Sequence, residues 1–423
     1  MLRKTYGLKN FRFPIFFLLS QIILAGGKTK KMRNITVGID VGTYQVKVVV
    51  AELAIEGERK IPKIIGTGFA ESKGLRHGYI ISGSDVTESV RTAVALAEKT
   101  SGVKIRKAFV SIGGIGLQAI TNTASVMVSK ADLEISDLDM TKAMELCEEQ
   151  IPAPLIQNRR VLHNIPLSYR VDGKNIMAKS PLGMKGAKLE TKMLFVTCLE
   201  SHLSDLLQAV EDAGVEVIDV MASPIAASFV TLTKSQKTAG CVLANIGAET
   251  ISIVVFENNI PISLEVFQIG STDITNDIAL GLKIPLEEAE NIKIGSLGGN
   301  SYSKKKLEEI IEARLSDMFE LIENHLKKIG RSGLLPAGIF ITGGGAGVGT
   351  IEDFAKVALR LPSRIATLNL GDAKSRVKDS TWAVAYGLCV LGFSGDDKRE
   401  LGVKVSLNAT KEKIFGWVKQ FLP

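Results

Sequence analysis

The chain has few of the residues that build metal centres, disulfide frameworks or redox sites. Its four cysteines, Cys147, Cys198, Cys241 and Cys389, are far apart and form no CxxC pair. Each lies in an apolar run, so we expect buried thiols in a reducing compartment. The four histidines are isolated, and this spacing does not support metal ligation, which needs clustered Cys and His.

The sequence also lacks a general excess of positive charge. The net charge of +7 arises in residues 1–33, which carry eight Lys and Arg and no Asp or Glu. The remainder has 44 basic against 45 acidic residues, a net charge of −1. A broad basic surface for nucleic acid is therefore not supported.

No apolar run has the length of about 20 residues that a membrane-spanning helix needs. The apolar run at 13–25 has basic flanks, like a secretory signal, but no small-x-small cleavage site precedes Gly26 and no lipobox cysteine follows. We expect residues 1–32 to be an unstructured extension or a misassigned start rather than an export signal.

Two stretches about half the chain apart share one strand–turn–strand pattern, at 37–50 and 242–255. In each, a β-branched run reaches Asp40 or Asn245, turns at a glycine two residues later and leaves through a second β-branched run. Such a turn directs backbone N–H groups inward, and glycine lets an anion approach closely. One copy is typical of an ordinary hairpin, whereas two copies favour duplicated halves that bind a nucleotide.

A third glycine-rich segment follows the strand predicted at 338–342 and precedes a predicted helix from about Ile351. The segment, Gly343 to Gly345, is not a Rossmann GxGxxG, because no helix begins at the required offset with an acidic residue further on. Taken alone it is equally consistent with a surface loop. Strands alternating with helices in two related halves predict an α/β fold.

The order of turn, turn and glycine loop resembles the actin-like ATPase superfamily. The resemblance implies a duplicated, ribonuclease H-like fold of two lobes with ATP and Mg²⁺ in the cleft between them. It further implies that Asp40 contacts Mg²⁺ through water, that Glu290 and Lys293 contact ribose and adenine, and that 223–227 and 383–387 are connecting helices. The implied nucleotide-binding residues are Asp40, Gly42, Thr43, Tyr44, Lys47, Asn245, Gly247, Ala248, Glu249, Thr250, Glu290, Lys293, Gly343, Gly344 and Gly345.

Within that superfamily the chain resembles the FtsA family of bacterial division proteins from about Asn34 to Pro423. The segments at 72–80, 161–169 and 181–186 carry this narrower resemblance. It implies a subdomain IC of SHS2 type, which takes the place of subdomain IB in actin. The implied boundaries are 33–83 and 164–200 for IA, 84–163 for IC, 201–275 and 333–380 for IIA, 276–332 for IIB, 381–394 for a return helix, 395–410 for a flexible linker and 411–423 for an amphipathic helix.

Two departures from the superfamily pattern concern hydrolysis. The second phosphate motif normally opens with Asp, and here Asn245 stands there; hydrolytic relatives carry a Glu that positions water, and here Ser223 stands there. Because phosphoryl transfer depends on positioning and charge stabilisation, we expect ATP binding with weak or no hydrolysis. No residue is predicted to be catalytic.

The segment at 411–423 has the pattern of a helix that lies in a membrane surface. A polar stretch, 395–410, precedes it and reads as a tether. A terminal helix docked on the protein's own core is the alternative. The apolar face consists of Ile414, Phe415, Trp417, Val418, Phe421 and Leu422, and Lys411, Lys413 and Lys419 flank it.

The family resemblance implies several partners: FtsZ through its C-terminal peptide, further copies of the chain in a head-to-tail polymer, later divisome membrane proteins through subdomain IC, and anionic lipids. Arg314 matches a basic residue that faces the FtsZ peptide, although it could be an ordinary solvated helix charge. The implied location is the cytoplasmic side of the plasma membrane at the septum. Alternatives are a PilM-like pilus scaffold, MreB, a chaperone of the 70-kilodalton type, or a sugar kinase.

Overall fold

The computed structural model describes residues 34–56, 59–176, 180–295, 302–368 and 379–396. Sixteen strands occur in this part of the chain. They are β1 (Ile35–Val41), β2 (Gln45–Glu56), β3 (Arg59–Glu71), β4 (Leu75–Arg76), β5 (Tyr79–Ile80), β6 (Lys107–Ile112), β7 (Gln118–Met127), β8 (Arg159–Val171), β9 (Lys174–Asn175), β10 (Lys188–Leu199), β11 (Glu216–Ala222), β12 (Cys241–Ile246), β13 (Ile251–Glu257), β14 (Ile260–Phe267), β15 (Gly338–Thr342) and β16 (Ser363–Ile365).

Eleven α-helices connect or cover these strands in the described ranges. They are α1 (Gly83–Ser101), α2 (Asp137–Glu149), α3 (Ala153–Ile156), α4 (Glu200–Asp212), α5 (Ser223–Thr231), α6 (Lys234–Ala239), α7 (Ser271–Leu282), α8 (Leu286–Lys293), α9 (Lys304–Lys328), α10 (Ile351–Leu359) and α11 (Ala383–Asp396). Short 3₁₀ turns lie at Gly344–Gly347 and Ser380–Trp382.

Two lobes repeat one sheet topology. The sheet order is β3-β2-β1-β6-β11 in the first lobe and β14-β13-β12-β15-β16 in the second. In both sheets the first three strands of this order pair with one another in antiparallel fashion. The fourth strand is parallel to the third, and the fifth is parallel to the fourth. The duplication inferred from the two turns therefore extends to all five strands of each sheet.

The central strands form because their β-branched residues are buried within each lobe. In β12 and β13 nearly every side chain is buried, and β1 and β2 likewise bury Ile39, Val48 and Val49. Such continuous apolar runs are typical of strands covered on both faces. Helices α5 and α11 pack against each other, and α11 also contacts β1 of the first lobe.

A third sheet is inserted between β6 and β11 of the first lobe, with the order β7-β10-β8-β9. It covers Gln118 to Leu199, whereas subdomain IC was predicted at 84–163. Within the predicted range, α1 packs on β3 and β6 pairs with β1, so both belong to the first lobe. Strand β10, predicted as part of IA, pairs with β7 and β8 of the insertion.

Among the helices of the described ranges, none combines the length and apolarity needed to cross a membrane.

Candidate functional site: a cleft between two glycine turns

The two turns share one hydrogen bond and one glycine position. Gly42 N–H donates to the carbonyl oxygen of Gln45 at 3.2 Å, and Gly247 N–H donates to that of Thr250 at 2.8 Å. A Cβ at Gly42 would lie 3.0 Å from the first carbonyl oxygen, and one at Gly247 would lie 3.1 Å from the second. Larger residues would crowd each turn, so the same backbone geometry explains why glycine recurs.

The glycine-rich segment packs directly against the second turn. Gly343 has a positive φ of 88°, and a Cβ there would lie 2.4 Å from Asn245 Oδ1. Gly345 is buried against the side chain of Ile246. Gly343 and Gly345 thus pack closely against the second turn. Gly344, between them, remains open, because a Cβ at that position would meet no atom within 4 Å.

One cavity of about 280 Å³ lies between the lobes, and residues of both turns and of the glycine segment line it. Of the fifteen residues predicted to bind nucleotide, two, Glu249 and Gly345, do not line it. The thirteen that do are Asp40, Gly42, Thr43, Tyr44, Lys47, Asn245, Gly247, Ala248, Thr250, Glu290, Lys293, Gly343 and Gly344.

Asp40 lies at the end of β1, where the first turn begins. Its carboxylate accepts a hydrogen bond from Ser111 Oγ at 2.7 Å. Burial raises the pKa of Asp40, while the Ser111 hydrogen bond and the charge of Lys47 oppose the rise. A buried carboxylate with raised pKa gains from a nearby cation, because added positive charge stabilises its ionised form.

Lys47 stands opposite Asp40 in the β1–β2 register. Its Nζ donates to the carbonyl oxygen of Thr381 at 3.0 Å and lies 5.5 Å from the ring centroid of Trp382. Burial lowers the pKa of Lys47, and Asp40 and Asp379 act in the opposite direction. Lys47 thus connects the strand that follows the first turn to the 3₁₀ turn that precedes α11.

Glu290 and Lys293 lie on α8 and brace the start of α7. Lys293 Nζ lies 2.7 Å from Glu290 Oε2 and donates to the Ser271 carbonyl oxygen at 3.1 Å and to Thr275 Oγ1 at 2.8 Å. Thr275 Oγ1 in turn donates to Glu290 Oε2. Both predicted contact residues therefore reach the cavity while holding the helix whose first residues, Ser271 and Thr272, also line it.

Few acidic side chains line the cavity. Asp40 and Glu290 are the acidic residues among the described lining residues, and Asn245 and Ser223 also face it. Ser223 Oγ donates to the carbonyl oxygen of Ile112 at 2.8 Å, so its hydroxyl proton is already engaged.

Several lining residues were not predicted as nucleotide contacts, notably Gly78, Gly113 and Gly114. Gly113 and Gly114 follow β6, as Gly343 and Gly344 follow β15, and these strands occupy equivalent positions in the two sheets. Applying the duplication to this loop would have found them. Ser380 and Thr381 also line the cavity, and no local sequence signal marks them.

Arg314, predicted to face a partner peptide, lies on α9 and is ion-paired within the chain. Its Nε and Nη2 donate to the two carboxylate oxygens of Asp277 at 2.6 and 3.0 Å, and Nη1 donates to Asp317 at 3.2 Å. The hydrogen bond with Asp277 raises the pKa of Arg314. No group of three metal-ligating side chains occurs in the described residues.

The predicted membrane residues lie outside the described residues, as does the extension at 1–32. The linker at 395–410 is described only to Asp396. The membrane residues are Lys411, Lys413, Ile414, Phe415, Trp417, Val418, Lys419, Phe421 and Leu422.

Comparison with known proteins gives two family models. One described as cell division protein FtsA matches residues 242–387, and one described as the SHS2 domain inserted in FtsA matches residues 114–197. The second range agrees with the inserted sheet.

Curated relatives match nearly the whole chain. A cell division protein FtsA from Bacillus subtilis is 30% identical over 400 residues, covering 89% of this chain and 87% of the relative. One from Borreliella burgdorferi is 30% identical over 413 residues, covering 91% and 98%. One from Pseudomonas aeruginosa is 27% identical over 397 residues, covering 88% and 92%.

Solved structures establish the fold. The chain is similar to a PilM–PilN type IV pilus biogenesis complex, with a TM-score of 0.61 and 16% identity over 84% of this chain and 98% of that one. It is also similar to MreB5 of Spiroplasma citri bound to ADP, with a TM-score of 0.50 and 11% identity over 88% and 99%. The fold is therefore actin-like with an SHS2 insertion, as predicted.

Proposed function

Because the chain belongs to the FtsA family of cell division proteins, we propose that it is an ATP-binding anchor that ties FtsZ filaments to the cytoplasmic membrane. The observation that carries the nucleotide part is that both turns and the glycine segment line the same cavity. Turns that present backbone N–H groups to one cavity would form a site for a polyanion.

The residues present fit ATP and Mg²⁺. A Cβ at Gly42 or Gly247 would crowd a carbonyl oxygen of its own turn, and both positions are glycine. Asp40 would hold the Mg²⁺ through its water shell, and Glu290 and Lys293 would contact the nucleoside. When bound, ATP supplies the phosphoanhydride bond, and the chain's own groups bind and orient it.

We propose that hydrolysis is slow. A water attacking the terminal phosphate needs a group that orients it and accepts its proton. Asn245 lacks the carboxylate that would help hold the Mg²⁺ water shell. Ser223 offers no carboxylate to accept the proton, and its hydroxyl already donates to the Ile112 carbonyl oxygen. ATP binding without rapid hydrolysis suits a protein that uses the bound nucleotide to switch its structure.

Filling the cavity from Gly344 tests the nucleotide site. Gly344→Phe places a ring where a Cβ meets no other atom, so we expect a folded protein that has lost measurable ATP affinity in isothermal titration calorimetry with Mg²⁺. Gly349→Phe is the matched control, because its Cβ also meets no atom within 4 Å and Gly349 does not line the cavity. Equal ATP affinity in the two variants would contradict the assignment.

The segment 411–423 would be the membrane anchor. Partial burial of its six apolar side chains is worth about 6–9 kcal/mol in gross terms, and each lysine near an anionic leaflet adds about 1 kcal/mol. Ordering the helix on binding costs about 2–5 kcal/mol of this. Binding should then be reversible and strengthened by self-association into a head-to-tail polymer.

Liposome sedimentation tests the anchor. Trp417→Glu should abolish pelleting with anionic vesicles, because it places a carboxylate on the apolar face. Gln420→Glu is the control, since it adds the same charge away from that face. Pelleting of the Trp417→Glu protein at the wild-type level would remove the anchor from the proposal.

The face of α9 around Arg314 would receive the C-terminal peptide of FtsZ, and the inserted sheet would contact later divisome membrane proteins. Arg314→Glu should weaken peptide binding at least tenfold in fluorescence anisotropy, because it reverses the charge at the contact. Lys305→Glu, on the same helix and 87% exposed in its side chain, is the matched control. Unchanged peptide affinity for Arg314→Glu would move the receptor elsewhere.

A further inference from the structure

One loop of the first lobe contacts both phosphate turns. This bridging loop, Ser72 to Ile80, contains the β4–β5 hairpin. At its start, Ser72 N–H donates to the carbonyl oxygen of Tyr44 in the first turn at 3.0 Å. At its centre, His77 N–H donates to Glu249 Oε2 in the second turn at 2.5 Å. The bridging loop therefore spans the cleft from one turn to the other.

The bridging loop also rests on the wall of the cavity. Ile115 N–H donates to the His77 carbonyl oxygen at 3.3 Å. A Cβ at Gly78 would lie 2.3 Å from the Cα of Gly114, so the two backbones touch, and both glycines line the cavity. Any movement of His77 must therefore displace part of the cavity wall.

His77 adopts a backbone conformation that suits its contact with Glu249. Its φ is +48°, in the left-handed region that non-glycine residues rarely occupy. Its imidazole Nδ1 lies 3.4 Å from the Glu249 carbonyl oxygen. A strained backbone persists only where its surroundings hold it, and here Glu249 holds it from the opposite lobe.

Glu249 was predicted to contact nucleotide, yet it does not line the cavity and its carboxylate is bonded to His77. We propose that Glu249 is a positioning residue: it holds the bridging loop against the second turn and so keeps the lobes closed over a bound nucleotide. This inference rests on the proposed nucleotide site. A hydrogen bond from a backbone N–H to a carboxylate is among the stronger kinds, because one partner is charged.

The expected consequence is a change in how fast nucleotide leaves. Loss of the carboxylate removes a contact made across the cleft, so the bridging loop and the part of the cavity wall that it touches can move away from a bound nucleotide. Glu249→Ala should raise the dissociation rate of a fluorescent ATP analogue about tenfold, the change expected when one charge-assisted hydrogen bond is lost. The association rate should change little, because the substitution replaces no residue that lines the cavity.

Three further variants separate this role from a general loss of stability. Glu249→Gln keeps an oxygen acceptor for the His77 N–H and should give an intermediate dissociation rate. His77→Gly keeps the backbone donor and should stay near wild type. Glu287→Ala, an exposed glutamate in the same lobe, is the matched control and should not change the rate.

The experiment combines stopped-flow dissociation of the analogue with amide hydrogen exchange at His77, in the full chain with Mg²⁺. We expect the His77 amide to be protected in the loaded wild type and to lose protection in Glu249→Ala. A wild-type dissociation rate together with a protected His77 amide in Glu249→Ala would overturn the inference while leaving the nucleotide site intact. Failure of the wild type to bind the analogue at all would instead overturn the proposed function.

Discussion

The two lobes share one sheet topology and one turn geometry. They differ in the charge of the residue at which each turn begins. In the first lobe, Asp40 pairs in register with Lys47; in the second, Asn245 pairs with Ser252. Both turns keep their glycine and its hydrogen bond. In the proposed site, backbone groups of both lobes would therefore bind phosphate, whereas Mg²⁺ would be held by the Asp40 side chain of the first lobe.

A change of pH should affect the first lobe most strongly. His163 Nε2 accepts the N–H of Ala222 in β11 at 3.1 Å, and burial lowers the pKa of His163 from 6.5 to about 3. Below pH 6.5 His163 becomes protonated in the unfolded chain, whereas in the folded chain it stays neutral until about pH 3. The free energy of unfolding should then fall by about 1.4 kcal/mol per pH unit, on the order of 4 kcal/mol in all by pH 3.

Hydrogen exchange at decreasing pH, corrected for intrinsic rates, measures this effect. The amides of β11 should lose protection before those of β16, its equivalent in the second sheet. His163→Gln retains an oxygen acceptor without titrating and should remove this part of the acid sensitivity. Simultaneous loss of protection in both strands of the wild type would show that His163 does not set the order.

Asp40→Asn makes the first turn resemble the second. Its amide oxygen still accepts the hydrogen bond from Ser111, so the fold should be retained. Affinity for ATP with Mg²⁺ should fall about 100-fold, since the loss of a charged contact at the metal costs about 3 kcal/mol. Calorimetry with and without Mg²⁺ distinguishes this from general damage, because affinity without the metal should change much less.

Asn245→Asp makes the second turn resemble the first. The substitution is nearly isosteric and supplies a carboxylate near the metal, so the steady-state ATPase rate should rise about tenfold, equivalent to about 1.4 kcal/mol in the barrier. Phosphate release measured at saturating ATP gives the rate. If the rate stays at the wild-type value, the missing carboxylate at Asn245 is not what limits hydrolysis.

Sequence reasoning found the parts of the site that local chemistry fixes. A β-branched run, a polar residue and a glycine mark each turn, so Asp40, Asn245 and their neighbours were predicted, and the structure brings them to one cavity. The hydrogen bond that Glu249 accepts from His77 is different. Which way that side chain points depends on His77, 172 residues away in sequence, so no local pattern records it.

The boundaries of the insertion were harder to predict for a similar reason. The apolar face of α1, with Val86, Val90 and Ala97 buried, would look the same whichever sheet it covered. Its contacts with β2 and β3 in the folded chain assign α1 to the first lobe. Likewise, the hydrogen bond from Lys47 to Thr381 joins residues 334 positions apart, and no periodic sequence pattern predicts a contact over that distance.

Amide hydrogen exchange of the full chain with and without ATP and Mg²⁺ tests most directly whether the twin turns act as one clamp. The account predicts that nucleotide protects the turn amides at 42–45 and 247–250 together, along with those of Gly343 and Gly344. Protection in only one turn, or in neither, would contradict it.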